Sequence, residues 1–383
     1  MARPRTPWLI TALLILLAGA VPSRAAYRTF QLSEDFRLDE DNTGEIFGNV
    51  TQIRCDEAGN IYVLDNRLIR ILEFDRTGTL MRTLSRKGEG PGEFQSAQDF
   101  FVGPDGSIGI CRELPGRIEF LGDDGQPASG RTPLAERRAE GAFYYLMSAQ
   151  RRGDLLGMLV RTERAGGAGK ILEHQLLLAR IDDPGETVIW HDTVETPWAS
   201  FLERDHYTIG QSRWALTDAG VVLAPRRDSY RIELYDARGI LQKVIDRNTP
   251  GCERSQDRLR ERRERFDAIV ARQPEYRVEF ESYDPPISAV YARANGEFWV
   301  LPCRDFGQLA DGVLAVLDAF DATGAPLGTV TLTTAEPRYV GRLFVLNADC
   351  VALSTYLVPL EDPGAEEEAE LCIIVYRLEA GSN

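Results

Sequence analysis

The run SRKGEGPGEFQSA, from Ser85 to Ala97, has glycines spaced as in a loop that cradles phosphate. That chemistry needs a Lys-Ser/Thr pair after the last glycine and a helix whose first N–H groups face the anion. Neither follows here, so the run is expected to be structural. Other catalytic candidates are sparse. The chain has three histidines, His174, His191 and His206, and six cysteines, yet no CxxC pair or Cys–His cluster of the kind that binds zinc. No GxSxG nucleophile elbow occurs. No metal, no cofactor and no catalytic residue is therefore expected. Arginine, by contrast, is abundant, and lysine is confined to Lys87, Lys170 and Lys243. This is first a compositional bias. It also supplies planar guanidinium forks, which bind carboxylate or phosphate through two parallel hydrogen bonds.

The elements that would have to gather these residues recur along the chain. Thr51 to Phe94 holds four apolar, alternating segments, TQIRC, NIYVLD, LIRILEFD and TLMRTLS, divided by DEAGN and DRTG. Gly59 and Gly78 stand where tight hairpins want them. The first-turn glycine returns as Gly106, Gly153, Gly220 and Gly296, with Asp349 at a sixth turn. The second returns as Gly125, Gly185, Gly239 and Gly324. The first two intervals are 47 residues each, and the later ones lengthen, which reads as insertions. A period in the forties with four strands per unit predicts a β-propeller. The sixth unit has three evident strands, the last being LCIIVYRL, whereas Tyr27 to Leu38 is a strand to spare. Added to the last blade, it removes an exposed edge.

The expected fold is therefore all-β: a six-bladed β-propeller over residues 26–383, with four-stranded antiparallel blades and an N-terminal strand completing the last one. One helical insertion, about 254–274, falls between blades four and five. Its helix reads SQDRLRERRERFDAIVARQ, with Ser255 as N-cap and Leu259, Phe266, Ile269 and Val270 as a narrow apolar stripe. It is either a lid or docking element or a decoration packed on the rim. Cys252 and Cys303 flank it and are the preferred disulfide.

The stretch DEAGNIYVLDNRLIRILEFDRTGTLMRTLSRKGEGPGEF resembles the NHL-type repeats of bacterial secreted six-bladed β-propeller proteins. In those repeats GxGPGEF leads from the outer strand of one blade into the next. The resemblance implies that Gly88, Gly90, Pro91 and Gly92 form this crossover, anchored by Phe94. It also implies an alternative function. Several six-bladed relatives are metal-dependent hydrolases or lyases, the gluconolactonase-like enzymes among them. Their chemistry needs Glu, Asn, Asp or His on inner strands facing the channel. The inner strands of this chain instead carry Arg54, Gln98, Gln150, Arg213, Arg293 and Arg342 as channel-lining candidates, with Asp99 among them.

Propeller topology places the loops after each second strand on the face that usually binds ligands. Those loops hold Arg67, Arg112, Arg161, Arg226, Arg227 and Arg304, a basic collar in five blades of six. The sixth offers the acidic LEDPGAEEEAE. Either the collar focuses an anionic ligand, or each arginine pairs with an acid such as Asp65, Glu113, Asp228 or Asp305. The favoured function is a non-catalytic binding or interaction propeller for an anionic small molecule, glycan or peptide, or for a protein partner.

Composition bounds the setting. Arg3 and Arg5, the apolar WLITALLILLAGAV and the small residues of PSRAA have the layout of a signal peptide over residues 1–25. An uncleaved anchor is the other reading of that segment. The expected location is periplasmic or extracellular, with no membrane span after cleavage. The formal net charge is −15, and removing the leader takes away three more arginines. Such a chain is repelled by nucleic acid and by anionic membranes.

Overall fold

The computed structural model describes residues 26–88, 93–135, 138–183, 185–206, 212–303, 309–335, 339–359 and 371–380. Their strands form six four-stranded blades arranged as a six-bladed β-propeller. Blade one illustrates the unit: Val50–Cys55, Ile61–Asp65, Arg70–Phe74 and Leu80–Thr83 pair in sequence order, all antiparallel. First strands of blades one to five touch in succession, and hydrogen bonds from Tyr291 to the Leu343 carbonyl and from Arg342 to the Thr51 carbonyl link those of blades five, six and one, so that the first strands surround the axis. Each blade is covered on both faces by its neighbours, which is why Ile61–Asp65 is buried throughout rather than alternately. Six hydrophobic clusters fill the six seams between consecutive blades. Phe100, Trp214 and Trp299 are buried there, each in a different seam.

The turn glycines follow the repeat. Gly59, Gly106, Gly153, Gly220 and Gly296 all have positive φ, as the hairpin turns require. Gly220 is the most constrained, because a Cβ on it would lie 2.0 Å from the carbonyl oxygen of Tyr235. The long interval after Gly153 has a different origin from the insertion expected. Blade three is built of unusually long strands, Phe143–Arg152, Leu155–Ala165, Gly169–Arg180 and Glu186–Pro197.

The N-terminal strand, Ala26–Leu38, closes the ring in two ways. Phe30 to Leu38 pairs antiparallel with Leu371–Ala380, making it the outer strand of blade six. Ala26 to Leu32 also pairs parallel with Pro326–Thr334, the outer strand of blade five. One strand thus binds two blades along both of its edges. Its Leu32 lies in the seam between blades five and six, and its Leu38 in the seam between six and one.

The glycine-rich run is a crossover. Arg86–Lys87 pairs parallel with Glu93–Phe94, Gly88 donates its N–H to the Phe94 carbonyl, and Phe94 is buried between blades one and two. Gly90, Pro91 and Gly92 lie outside the described residues. The insertion helix spans Gln256–Arg272, capped by Ser255, whose Oγ accepts from Arg258 N. Phe266 packs on Phe201 and Phe280, while Ile269 of the expected stripe is exposed. Cys252 and Cys303 are disulfide-bonded, with Cα atoms 5.8 Å apart, and tie the base of the insertion to blade five.

Candidate ligand-binding site

The second strand of blade four, Gly220–Leu223, delivers Arg226 and Arg227 to the collar face. There they line a cavity of about 870 Å³ between blades three and four and the insertion. Trp190, His191 and Asp192 come from the outer strand of blade three, and Tyr283 and Asp284 from the insertion. The cavity therefore lies off the axis, on the rim. Arg226 is exposed, and its side chain has no ion pair among the described residues. Arg227 donates to the carbonyl of Glu203 at 2.9 Å. Burial lowers the Arg227 guanidinium from its ordinary value, although Glu203 and Glu281 favour the charged form.

Beside the cavity a buried ion network fastens the insertion. Arg254, whose side chain is 2% exposed, reaches Glu203 with both terminal nitrogens at 2.5 and 3.0 Å. Its Nε donates to Asp284 at 2.8 Å. Arg262 of the insertion helix also pairs with Glu203, and Arg258 with Asp284 at 2.9 Å. Burial alone would push the Glu203 carboxyl up. Hydrogen bonds from Arg254 and the Glu281 N–H, with the Arg262 charge, outweigh it and hold the carboxyl below its usual range.

The rest of the collar is dispersed. Asp65 accepts from the N–H groups of Gly48, Asn49, Arg67 and Leu68, so the Arg67 side chain projects to solvent. Arg112 pairs with Glu119 of its own blade at 2.7 Å rather than with a neighbour's acid. Arg161 stacks on Tyr145, 4.3 Å from the ring centroid. Arg304 lies outside the described residues.

The channel candidates divide likewise. Arg54 lies 3.5 Å from Asp99 Oδ1, and both charges act on Arg342. Gln150 bridges blades three and four, donating to the Trp214 carbonyl and accepting from Leu216 N. Gln98 accepts from Asn66 in the neighbouring blade. Arg213 is buried and turned toward the Arg226 carbonyl, and burial followed by the charge of Arg227 lowers its guanidinium to about 9. Arg293 stands at the opposite end of its strand, where it donates to Asn347 and Ala348 carbonyls and stacks on Trp299. Burial lowers it to about 10. Gln98, Gln150, Arg213 and Arg293 are thus engaged away from the pair formed by Arg54 and Arg342. Glu203 and Arg254 were not singled out in the sequence, because residues 51 apart with no repeat position in common carry no local signal.

His174 is buried in blade three, His191 is exposed at the cavity, and His206 ends the short helix Glu203–His206. Among the described residues no three His, Cys, Asp or Glu side chains are placed to share a metal ion. No helix among them is long and apolar enough to cross a membrane.

Residues 42–114 match the DUF5128 family, described as a 6-bladed beta-propeller. The fold is similar to that of a member of the DUF4221 family from Bacteroides vulgatus, with a TM-score of 0.52 at 12% identity over 92% of this chain and 99% of that one. It is also similar to regucalcin, a calcium-binding protein from Agrobacterium tumefaciens, with a TM-score of 0.46 at 10% identity over 92% of this chain and 97% of the other. No curated protein matches the sequence. At these identities the likeness shows the fold alone.

Proposed function

We propose that the chain is an exported, non-catalytic binding propeller with NHL-type repeats, and that its ligand carries carboxylate or phosphate. The observation that carries this reading is the pair Arg226 and Arg227 on the rim cavity. One is exposed without an ion pair among the described residues, and the other is held by a backbone carbonyl. A cavity of about 870 Å³ suits a small molecule, a short glycan or a peptide terminus. The surrounding chain is acidic, so a local guanidinium pair focuses anions at one place on it. Of the five acids that line the cavity, Glu233 is paired with Arg231, and Asp284 with Arg254 and Arg258, while Asp192, Asp228 and Glu281 also face it.

Citrate and inorganic phosphate are suitable probes, titrated calorimetrically against wild type, Arg226→Glu and, as a control elsewhere on the collar, Arg67→Glu. Losing a charge-assisted hydrogen bond costs about 1.5–3 kcal/mol, so Arg226→Glu should weaken binding at least about tenfold and Arg67→Glu leave it unchanged. Equal affinity in wild type and Arg226→Glu, or binding of neither probe to wild type, overturns the assignment.

A further inference from the structure

The first strand of blade six, Tyr339–Val345, carries Arg342 into the centre of the ring. Its Nη1 donates to the Thr51 carbonyl of blade one at 2.7 Å. Its Nη2 donates to Ser212 Oγ, just ahead of blade four, at 3.1 Å. Blades one and four face each other across a six-membered ring, so this side chain spans the channel. Both acceptors are neutral, and Arg342 has no ion pair within 4.0 Å among the described residues. It is nonetheless exposed to solvent, while Leu343 beside it is buried.

Tyr291, Asp99 and Arg54 are the ionisable groups that act on Arg342, and the adjacent residues Thr51 and Gln52 connect it to Asp99 through hydrogen bonds. Asp99 is buried and spends its hydrogen bonds on one oxygen. Its Oδ1 accepts from Gln52 Nε2 at 3.0 Å and from Phe100 N at 2.8 Å, and lies 3.5 Å from Arg54. Its Oδ2 is buried without a hydrogen-bond partner among the described residues. With Asp99 ionised, one carboxylate stands against two guanidiniums, an excess of one positive charge; burial raises that carboxyl although Arg54 and the Gln52 hydrogen bond oppose it, and its protonation would only add to the excess. Only two of the five Arg342 N–H donors are used in the contacts above.

We propose that the central channel is a second anion site, in which Arg342 and Arg54 hold one small monovalent anion of the chloride class. A monovalent ion cancels the excess, whereas a dianion would reverse it and leave an uncompensated charge among the inner strands. The side chain of Arg342 already crosses the channel, which favours a compact ion over an extended organic one. This site is independent of the rim cavity, so it does not rest on the function proposed above.

The test is thermal unfolding of the intact exported chain in sodium chloride against sodium gluconate at matched ionic strength, with bromide-soaked crystals read by anomalous diffraction. An anion that binds only the folded chain raises the midpoint as its concentration rises past Kd. Wild type and Arg226→Glu should show the chloride-specific rise, and a bromide peak should lie between Arg54 and Arg342. Arg342→Gln and Arg54→Gln should each reduce chloride affinity at least tenfold. A full chloride response in both variants, or no bromide peak between these arginines in wild type, overturns the proposal. Should Arg342→Gln fail to fold, Arg54→Gln and the bromide map still decide. Loss of citrate binding in Arg226→Glu with the chloride response intact keeps the two sites distinct.

Discussion

Ring closure by the N-terminal strand can be tested by removing one side chain from each of its two seams. Leu38 is 0% exposed, pairs with Ile373 of blade six, and packs with Val63 and Leu72 of blade one in the same cluster. Leu38→Ala deletes three carbons, worth about 2.4 kcal/mol at ~0.8 kcal/mol each. The seam lies between two sheets that cannot close up fully, and a residual cavity of about 40 Å³ adds about 1 kcal/mol. The expected loss is therefore about 3.5 kcal/mol. Leu32 occupies the other seam, packed in the cluster that contains Leu314 and Leu332, and Leu32→Ala should cost a similar amount. The clusters are separate, so the double variant should lose the sum, about 7 kcal/mol, to within about 0.5 kcal/mol. Tyr27, in the same strand, is 81% exposed, and Tyr27→Ala should change stability by less than about 0.5 kcal/mol. Urea unfolding followed by tryptophan fluorescence measures all four, since Trp214 and Trp299 report from inside seams. A Leu38→Ala loss below about 1 kcal/mol refutes the idea that this strand closes the ring. So does a double variant no worse than either single one, because the strand would then detach as a unit without unfolding the rest.

Two further outcomes follow from the fold. The Cys252–Cys303 bond closes a loop of 51 residues, so Cys252→Ser with Cys303→Ser should cost about 4 kcal/mol on the chain-entropy account and open the insertion to proteolysis, read as cleavage within residues 254–284 with and without reductant. Gly220→Ala should destabilise by more than about 2 kcal/mol, because φ is +139° and the added Cβ meets a carbonyl, whereas Gly141→Ala, also at positive φ but with nothing within 4 Å, should cost about 1 kcal/mol; thermal melts of the two separate steric clash from backbone strain.

The sequence showed the fold through the residues that had least choice. A hairpin turn at positive φ excludes most side chains, so the glycines mark the repeat even where strand sequences diverge. A three-stranded sixth unit and a spare N-terminal strand imply closure, since an unpaired edge is costly. The parallel pairing of that strand with blade five left one trace, its length: Ala26–Leu38 has 13 residues against 6 for Val50–Cys55. The site was less legible. Arg213 stands just ahead of its inner strand and Arg342 in the middle of its own, yet one turns into the body of the propeller and the other crosses the channel. Which way each points depends on a single residue of register, and local sequence does not fix that. Likewise, Arg226 is distinguished from Arg112 by the presence of Glu119 across a hairpin, a contact that composition cannot reveal.

Glu203 couples the insertion to the rim cavity, because it anchors the one and tempers the charge of the other. It faces Arg254 and Arg262 directly, and its carbonyl holds Arg227. Its native carboxyl titrates below the unfolded value of about 4.3, so the native state binds fewer protons there. The stability it contributes is present in full above the unfolded value and is lost as pH falls through the native one. Glu203→Gln should flatten that acid limb of the urea midpoint and cost about 3–5 kcal/mol at neutral pH, because buried guanidiniums lose their carboxylate. The same change leaves Arg227, Arg254 and Arg262 less compensated beside the cavity, so citrate should bind the variant more tightly than wild type. Stability and affinity are then expected to move in opposite directions. If Glu203 served the insertion alone, loosening it would disorder the cavity wall and both would fall together. Calorimetric titration of citrate into Glu203→Gln, under conditions where the variant remains folded, separates the two, and weaker binding there would refute the electrostatic link.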